Sequence, residues 1–218
     1  NCARGGLVDE KALRDALANP ANMDFGRDIL PGMIGSEKVQ AFPFRGYWRD
    51  IGTIRSFYEA NLALTDEDPP FHFYHPDAPI YTRPRFLPAS SLVDVRFDHC
   101  RLADGVRIFG AEVVRSVIGL RARIEKGCRI VDSIVMGADD IEEEDGRIAA
   151  LAKGLPPVGI GADCVIERAI IDKNVRIGAG CVLRGDASRP DQDGDGWFFR
   201  DGILIVAKNG ILRPGTVV

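Results

Sequence analysis

The stretch that decides the fold is IGLRARIEKGCRIVDSIV, residues 118–135. Ile118, Ile124 and Ile130 recur in it every six residues. Two further triplets keep that spacing: Ile171, Ile177 and Leu183, then Ile205, Ile211 and Val217. Ile160 and Ile166 also lie six apart, but one residue out of phase with Ile171, which predicts a slip in the repeat. A period of six matches neither a helix nor a lone strand; it fits a short strand plus a turn. Three such units close one triangular coil of parallel strands. Each aliphatic residue then points inward and stacks on its counterpart one coil along. No single coil can bury its own face, so stability grows with stacking.

Cys128, Cys164 and Cys181 each sit four residues after the aliphatic residue of a repeat. A small side chain there suits a tight corner beside the core, which accounts for them without chemistry. Gly105, Gly110, Gly119, Gly127, Gly161, Gly178, Gly180 and Gly215 fall near the turns, where positive φ is cheap for glycine. Two segments interrupt the repeat. Residues 138–157 are acidic and then helix-like, stopped by Gly154 and the Pro156-Pro157 pair. Residues 185–201, GDASRPDQDGDGWFFRD, are expected to project from the coil as a Gly/Asp-rich loop.

Composition narrows the function. The 218 residues are 45% hydrophobic and 28% charged, a soluble globular balance. A net charge of −4 argues against a dedicated nucleic-acid binder. No apolar run reaches membrane-helix length, and NCARGGLVDE carries no signal-peptide core. Five cysteines without a CxxC or Cys/His cluster argue against a disulfide framework or a zinc site and favour a reducing cytoplasm. His72 and His75 flank the Pro-bounded aromatic stretch FHFYHP, which reads better as linker than as a metal pair.

Ahead of the repeat, residues 9–18 read as a short helix, MDFGRDILP as a turn and VQAFPF at 39–44 as a strand. Thr53 caps a helix, TIRSFYEANLAL, with Ile54, Phe57 and Leu62 expected to face inward. This divides the chain into an α/β portion at 1–64, a Pro-rich linker at 65–90 and the coiled domain at 91–218. Asp50 stands between Trp48 and the IGT turn. A carboxylate there can bind Mg²⁺ or stabilise the first turn of the helix, and the residues alone serve both readings equally.

The hexads resemble those of hexapeptide-repeat proteins, which implies a left-handed parallel β-helix, an exception to right-handed crossovers. More specifically, DFGRDILP, VQAFPFRGYWRDIGTIRSFYEANLAL, PIYTRPRFLP, SVIGLRARIE, VMGAD, PPVGIG, AIIDKN and GILIVAKNGIL, in order over about 24–218, resemble ADP-glucose pyrophosphorylase (glucose-1-phosphate adenylyltransferase), above all the cyanobacterial and plant types. The fold implied is an α/β remnant of a nucleotidyltransferase domain followed by the β-helix. That family forms ADP-glucose and pyrophosphate from ATP and glucose 1-phosphate for glycogen or starch synthesis, with Mg²⁺ neutralising the phosphates. The resemblance implies Asp50 as a metal-binding carboxylate, and Asp24, Phe25 and Trp48 at the sugar-phosphate site. It implies Lys173 and Lys208 as activator lysines and Arg85 as an arginine tied to phosphate inhibition. The implied effectors are phosphorylated metabolites such as 3-phosphoglycerate and phosphate, the implied assembly a homotetramer, and the setting the cytoplasm, or the plastid in a plant. Phosphate binding needs basic groups, and residues 83–129 hold ten Lys or Arg against five acids.

The family's Gly-rich nucleotide loop, its second catalytic carboxylate and its sugar-phosphate lysine find no match, so these residues alone are expected to be inactive. Residues 1–17 depart from the pattern and resemble a piece of the D-2-hydroxyacid dehydrogenases, which implies Arg4 as a substrate contact; the GxGxxG loop and catalytic histidine of that family have no match. Two alternatives remain at this level. One is a non-catalytic effector-binding or assembly module of the same family. The other is a hexapeptide acyltransferase, for which His99 is the sole candidate base.

Overall fold

The computed structural model describes residues 8–41, 43–77 and 79–218. They fall into two compact units, residues 1–50 and 51–218. In the first, helix α1 (Glu10–Leu17) is capped by the Asp9 carboxylate, which accepts from the Ala12 N–H at 3.1 Å. The segment expected to be a turn is helical instead. A π-turn spans Phe25–Ile29 and runs into α2 (Leu30–Met33). Asp24 starts it, accepting from the Gly26 and Arg27 N–H groups at 2.8 and 2.7 Å. The described residues of 39–44 form no strand; Pro43 brings no N–H to a ladder.

The second unit is the coil. Its described residues form three parallel faces, one of six strands, one of five, and one of seven that ends in an antiparallel hairpin. Register pairs Leu92, Ile108, Ile124, Ile160, Ile177 and Leu212 in one inward column. Phe97, Val113, Ile130, Ile166 and Leu183 form the second. Leu102, Ile118, Val135, Ile171 and Val206 form the third. From Ile108 onward every member of these columns is buried. Stacked β-branched residues suit this pleated geometry. The slip at Ile166 and Ile171 is real and recurs one coil earlier, between Ile130 and Val135.

One phase differs from the sequence reading. Val206 and Leu212 occupy the inward columns, not Ile205 and Ile211, and Val217 is exposed while Val218 packs on the core. A shift of one residue turns every side chain to the other face. The reason is that the third face is apolar on both sides. Val117, Ile134, Ile170 and Ile205 line its outer surface. Helix α3 (Ile54–Leu62) covers that surface with Phe57, Tyr58 and Leu62. Ile54, expected inside, is 37% exposed, and Tyr58 takes its place. The Tyr58 hydroxyl donates to the Asp132 carbonyl at 2.6 Å, and burial, with Asp132 nearby, pushes its pKa up to about 12. Thr53 and Ser56 close a capping box at the start of α3.

The cysteines are corner packing. Cys128, Cys164 and Cys181 are buried one above another, and their thiols donate to the Gly161, Gly178 and Arg213 carbonyls. The neighbouring Cys128 thiol, together with burial, pushes Cys164 up to about 11, so it packs as a neutral group. The glycines divide into two kinds. Gly127 and Gly180 do adopt positive φ. Gly119, Gly161 and Gly178 do not; they are small because coils touch there, and a Cβ on Gly178 would lie 2.4 Å from the Pro214 nitrogen.

The first insertion holds helix α4 (Glu144–Ala152). Gly154 at φ 70° ends it, with the Leu155 N–H reaching back to the Ala150 carbonyl at 3.0 Å. Glu142 ties the insertion down through Arg176 at 2.7 Å and the Val158 N–H at 2.7 Å. The second interruption does not project as a loop. Gln192–Asp193 and Phe198–Arg200 add two antiparallel strands to Ile203–Val206, and Phe199 is fully buried. Aromatic residues favour a half-buried pleated strand, which the Gly/Asp-rich composition around them masked. No helix of the described residues is long and apolar enough to cross a membrane.

Candidate functional site

Lys173 and Lys208 meet because the fold repeats the same corner. Each precedes an asparagine in the left-handed conformation, Asn174 at φ 60° and Asn209 at φ 62°. Asparagine tolerates that conformation because its short amide bonds locally. The Asn209 N–H donates to the Lys173 carbonyl at 2.9 Å, so the two corners stack on successive coils. Adjacent parallel strands lie about 4.8 Å apart, which brings two ammonium groups close.

Asp139 sits between them. Lys173 Nζ donates to Oδ1 at 3.1 Å, and Lys208 Nζ lies 2.7 Å from Oδ2. Asn174 Nδ2 donates to Oδ2 at 3.0 Å, and Asn174 Oδ1 accepts from the Asp139 N–H at 2.8 Å. Asn174 Nδ2 also reaches Asn209 Oδ1 at 3.2 Å. Lys208, then Asn174 and Lys173, hold the Asp139 carboxyl well below the usual carboxylate range. The same bond raises the Lys208 pKa. Both groups stay charged at neutral pH. Beside them lies an open depression of about 360 Å³, lined by the carboxylates of Asp139, Asp140 and Glu142, by Asn174, Asn209 and Arg176, and by the apolar Ile141, Val158 and Ile211.

Arg85 is not part of this cluster. It is exposed in the extended segment before the first coil, with Nη1 3.4 Å from the Arg83 carbonyl. Much of the basic excess in 83–129 is neutralised by pairing: Arg96 with Glu112, Arg115 with Asp132, Arg123 with Glu125, and Arg129 with Glu112 and Glu167. His99 is exposed at a corner of the first coil, Nδ1 2.6 Å from Asp98.

In the N-terminal unit, Asp24 heads the π-turn and Phe25 is half-buried within it. Trp48, 53% exposed, and Asp50, also exposed, lie in the irregular segment that follows. Among the described residues no three His, Cys, Asp or Glu side chains come together to hold a metal. Magnesium is bound by one or two carboxylates plus substrate phosphates. A carboxylate such as Asp50 is one part of such a set.

The family model described as "GLGC left-handed parallel beta-helix domain" matches residues 85–217, more than half of the chain. The chain belongs to this family. Its coil is therefore a left-handed β-helix. The model described as "Nucleotidyl transferase" matches residues 7–67. Together the two matches support an ADP-glucose pyrophosphorylase-like family. The nucleotidyltransferase match takes in α1, so the resemblance of residues 1–17 to dehydrogenases gains no support. Arg4, singled out in the sequence, lies outside the described residues.

Sequence reasoning named both lysines and missed Asp139, their shared counter-ion. The signal was present: KN occurs at 173–174 and again at 208–209, and Asp139 ends VMGAD, one of the matching strings.

Proposed function

We propose that this chain serves a glucose-1-phosphate adenylyltransferase of glycogen or starch synthesis, and that its β-helix is the effector-binding part. The observation that carries the reading is the convergence of Lys173 and Lys208 on one carboxylate. Two ammonium groups that share one anionic partner suit a phosphate equally well, since both offer several acceptor oxygens to charged donors. The neighbouring depression gives room for a small carbon skeleton, so 3-phosphoglycerate and inorganic phosphate are the fitting ligands. Asp24, Phe25, Trp48 and Asp50 belong in this reading to a sugar-phosphate and Mg²⁺ site completed by groups outside these residues, and Arg85 to inhibition by phosphate. Assembly into a homotetramer through the β-helix, in the cytoplasm or a plastid, is part of the same proposal.

At a hundred times its dissociation constant, 3-phosphoglycerate is expected to raise the melting temperature by roughly 5–10 °C. The Lys173→Ala/Lys208→Ala double variant is expected to show no rise. An equal rise in that variant would place the effector elsewhere and sink the proposal.

A further inference from the structure

The carboxylate between the lysines belongs to the protein itself. Asp139 spans the pair, one oxygen toward each ammonium group, and its own N–H and Oδ2 are both engaged by Asn174. The arrangement resembles a bound anion in every respect except that the anion is covalently attached. Asp139 also stands at the start of the first insertion, two residues after the positive-φ Gly137 and three before Glu142, which grips Arg176 and the Val158 N–H. With its position fixed at both ends, the carboxylate is presented to the lysines at a high effective concentration. A phosphate that draws on both ammonium groups competes with the carboxylate for them.

We infer that Asp139 is a built-in competitor that sets the affinity and selectivity of the Lys173/Lys208 site for anions. This rests on the effector reading above and adds to it how that site discriminates. A weakly charged anion making one contact does not displace a carboxylate held by three donors. A phosphate dianion, with more charge and three terminal oxygens, does. The side chain of Asp139 is 39% exposed and those of Lys173 and Lys208 are 37% and 51% exposed, so exchange needs no opening of the core. Solvent screening at that exposure keeps the effect modest.

The test is calorimetric titration of inorganic phosphate into the whole chain and into Asp139→Asn at low ionic strength. The variant keeps the side-chain shape and removes the competing charge. It is expected to bind phosphate about fivefold more tightly than the wild type, with the gap narrowing as salt is added. Unchanged or weaker binding by a folded Asp139→Asn chain would overturn the inference while leaving the effector reading standing, because the wild type would still bind. Absence of saturable binding in both chains would overturn the effector reading and this inference with it. Should Asp139→Asn fail to melt as a folded protein, Asn174→Gly carries the test. It removes the one neutral donor to the carboxylate, Asn174 Nδ2, while tolerating the positive φ. About twofold tighter phosphate binding is expected there, and no tightening would overturn the inference.

Discussion

Replacing Phe199 with alanine is expected to destabilise the β-helix by about 3–5 kcal/mol, the usual cost of deleting a fully buried aromatic ring. Phe199 stands next to the end of the third face, on the strand Phe198–Arg200, opposite Leu204 and inside the edge strand Gln192–Asp193. It is fully buried, edge-on to Trp197 at 5.7 Å between ring centroids, with the Arg189 guanidinium 4.4 Å above its face. A solenoid must close its ends, because the terminal coil has no neighbour to cover its inward residues. The hairpin of Gln192–Asp193 and Phe198–Arg200 does this on the third face, and Phe199 is the side chain it inserts. Phe198, its half-buried neighbour, points the other way, and Phe198→Ala is expected to cost clearly less, about 1 kcal/mol. Urea unfolding followed by circular dichroism measures both. Equal, small losses in the two variants would mean that the hairpin only decorates the coil.

The second large effect concerns register at the C-terminal coil. Leu212→Ala is expected to cost about 2–5 kcal/mol and Ile211→Ala under about 1 kcal/mol. Leu212 is 2% exposed and continues the column through Ile177, whereas its neighbour Ile211 is 43% exposed. Hydropathy cannot separate the two residues, since both are large aliphatics. Only the pleat separates them, because successive side chains point to opposite faces. The same unfolding experiment decides it, and a larger loss for Ile211→Ala would put the last coil in the opposite phase.

That phase shows where sequence reading stops. The central columns were legible because Ile118, Ile124 and Ile130 stand among charged and small neighbours, so the period of six is visible. At Ile203–Val206 the chain reads ILIV, with the core on one side and α3 on the other. A strand buried on both faces loses its alternation, and the spacing alone then fits either phase. Phe199 was hidden for another reason: Gly and Asp around it signal a loop, while the residues that pair it, Ile203–Val206, follow it in sequence. The candidate site was half legible. Family resemblance marked Lys173 and Lys208, but the corner they share emerged only from the stacking of successive coils, and the insertion carrying Asp139 returns to that corner through tertiary contacts that no local pattern encodes.

Titrating 3-phosphoglycerate by calorimetry into the wild-type chain, Lys173→Ala, Lys208→Ala and the double variant decides whether the two lysines form one site. A double-mutant cycle isolates their interaction. The expected result is one ligand per chain, a loss of about tenfold or more in each single variant, and a double variant little weaker than the worse single one. Losses that simply add, or a double variant that binds like the wild type, would contradict a shared anion site at this corner of the β-helix.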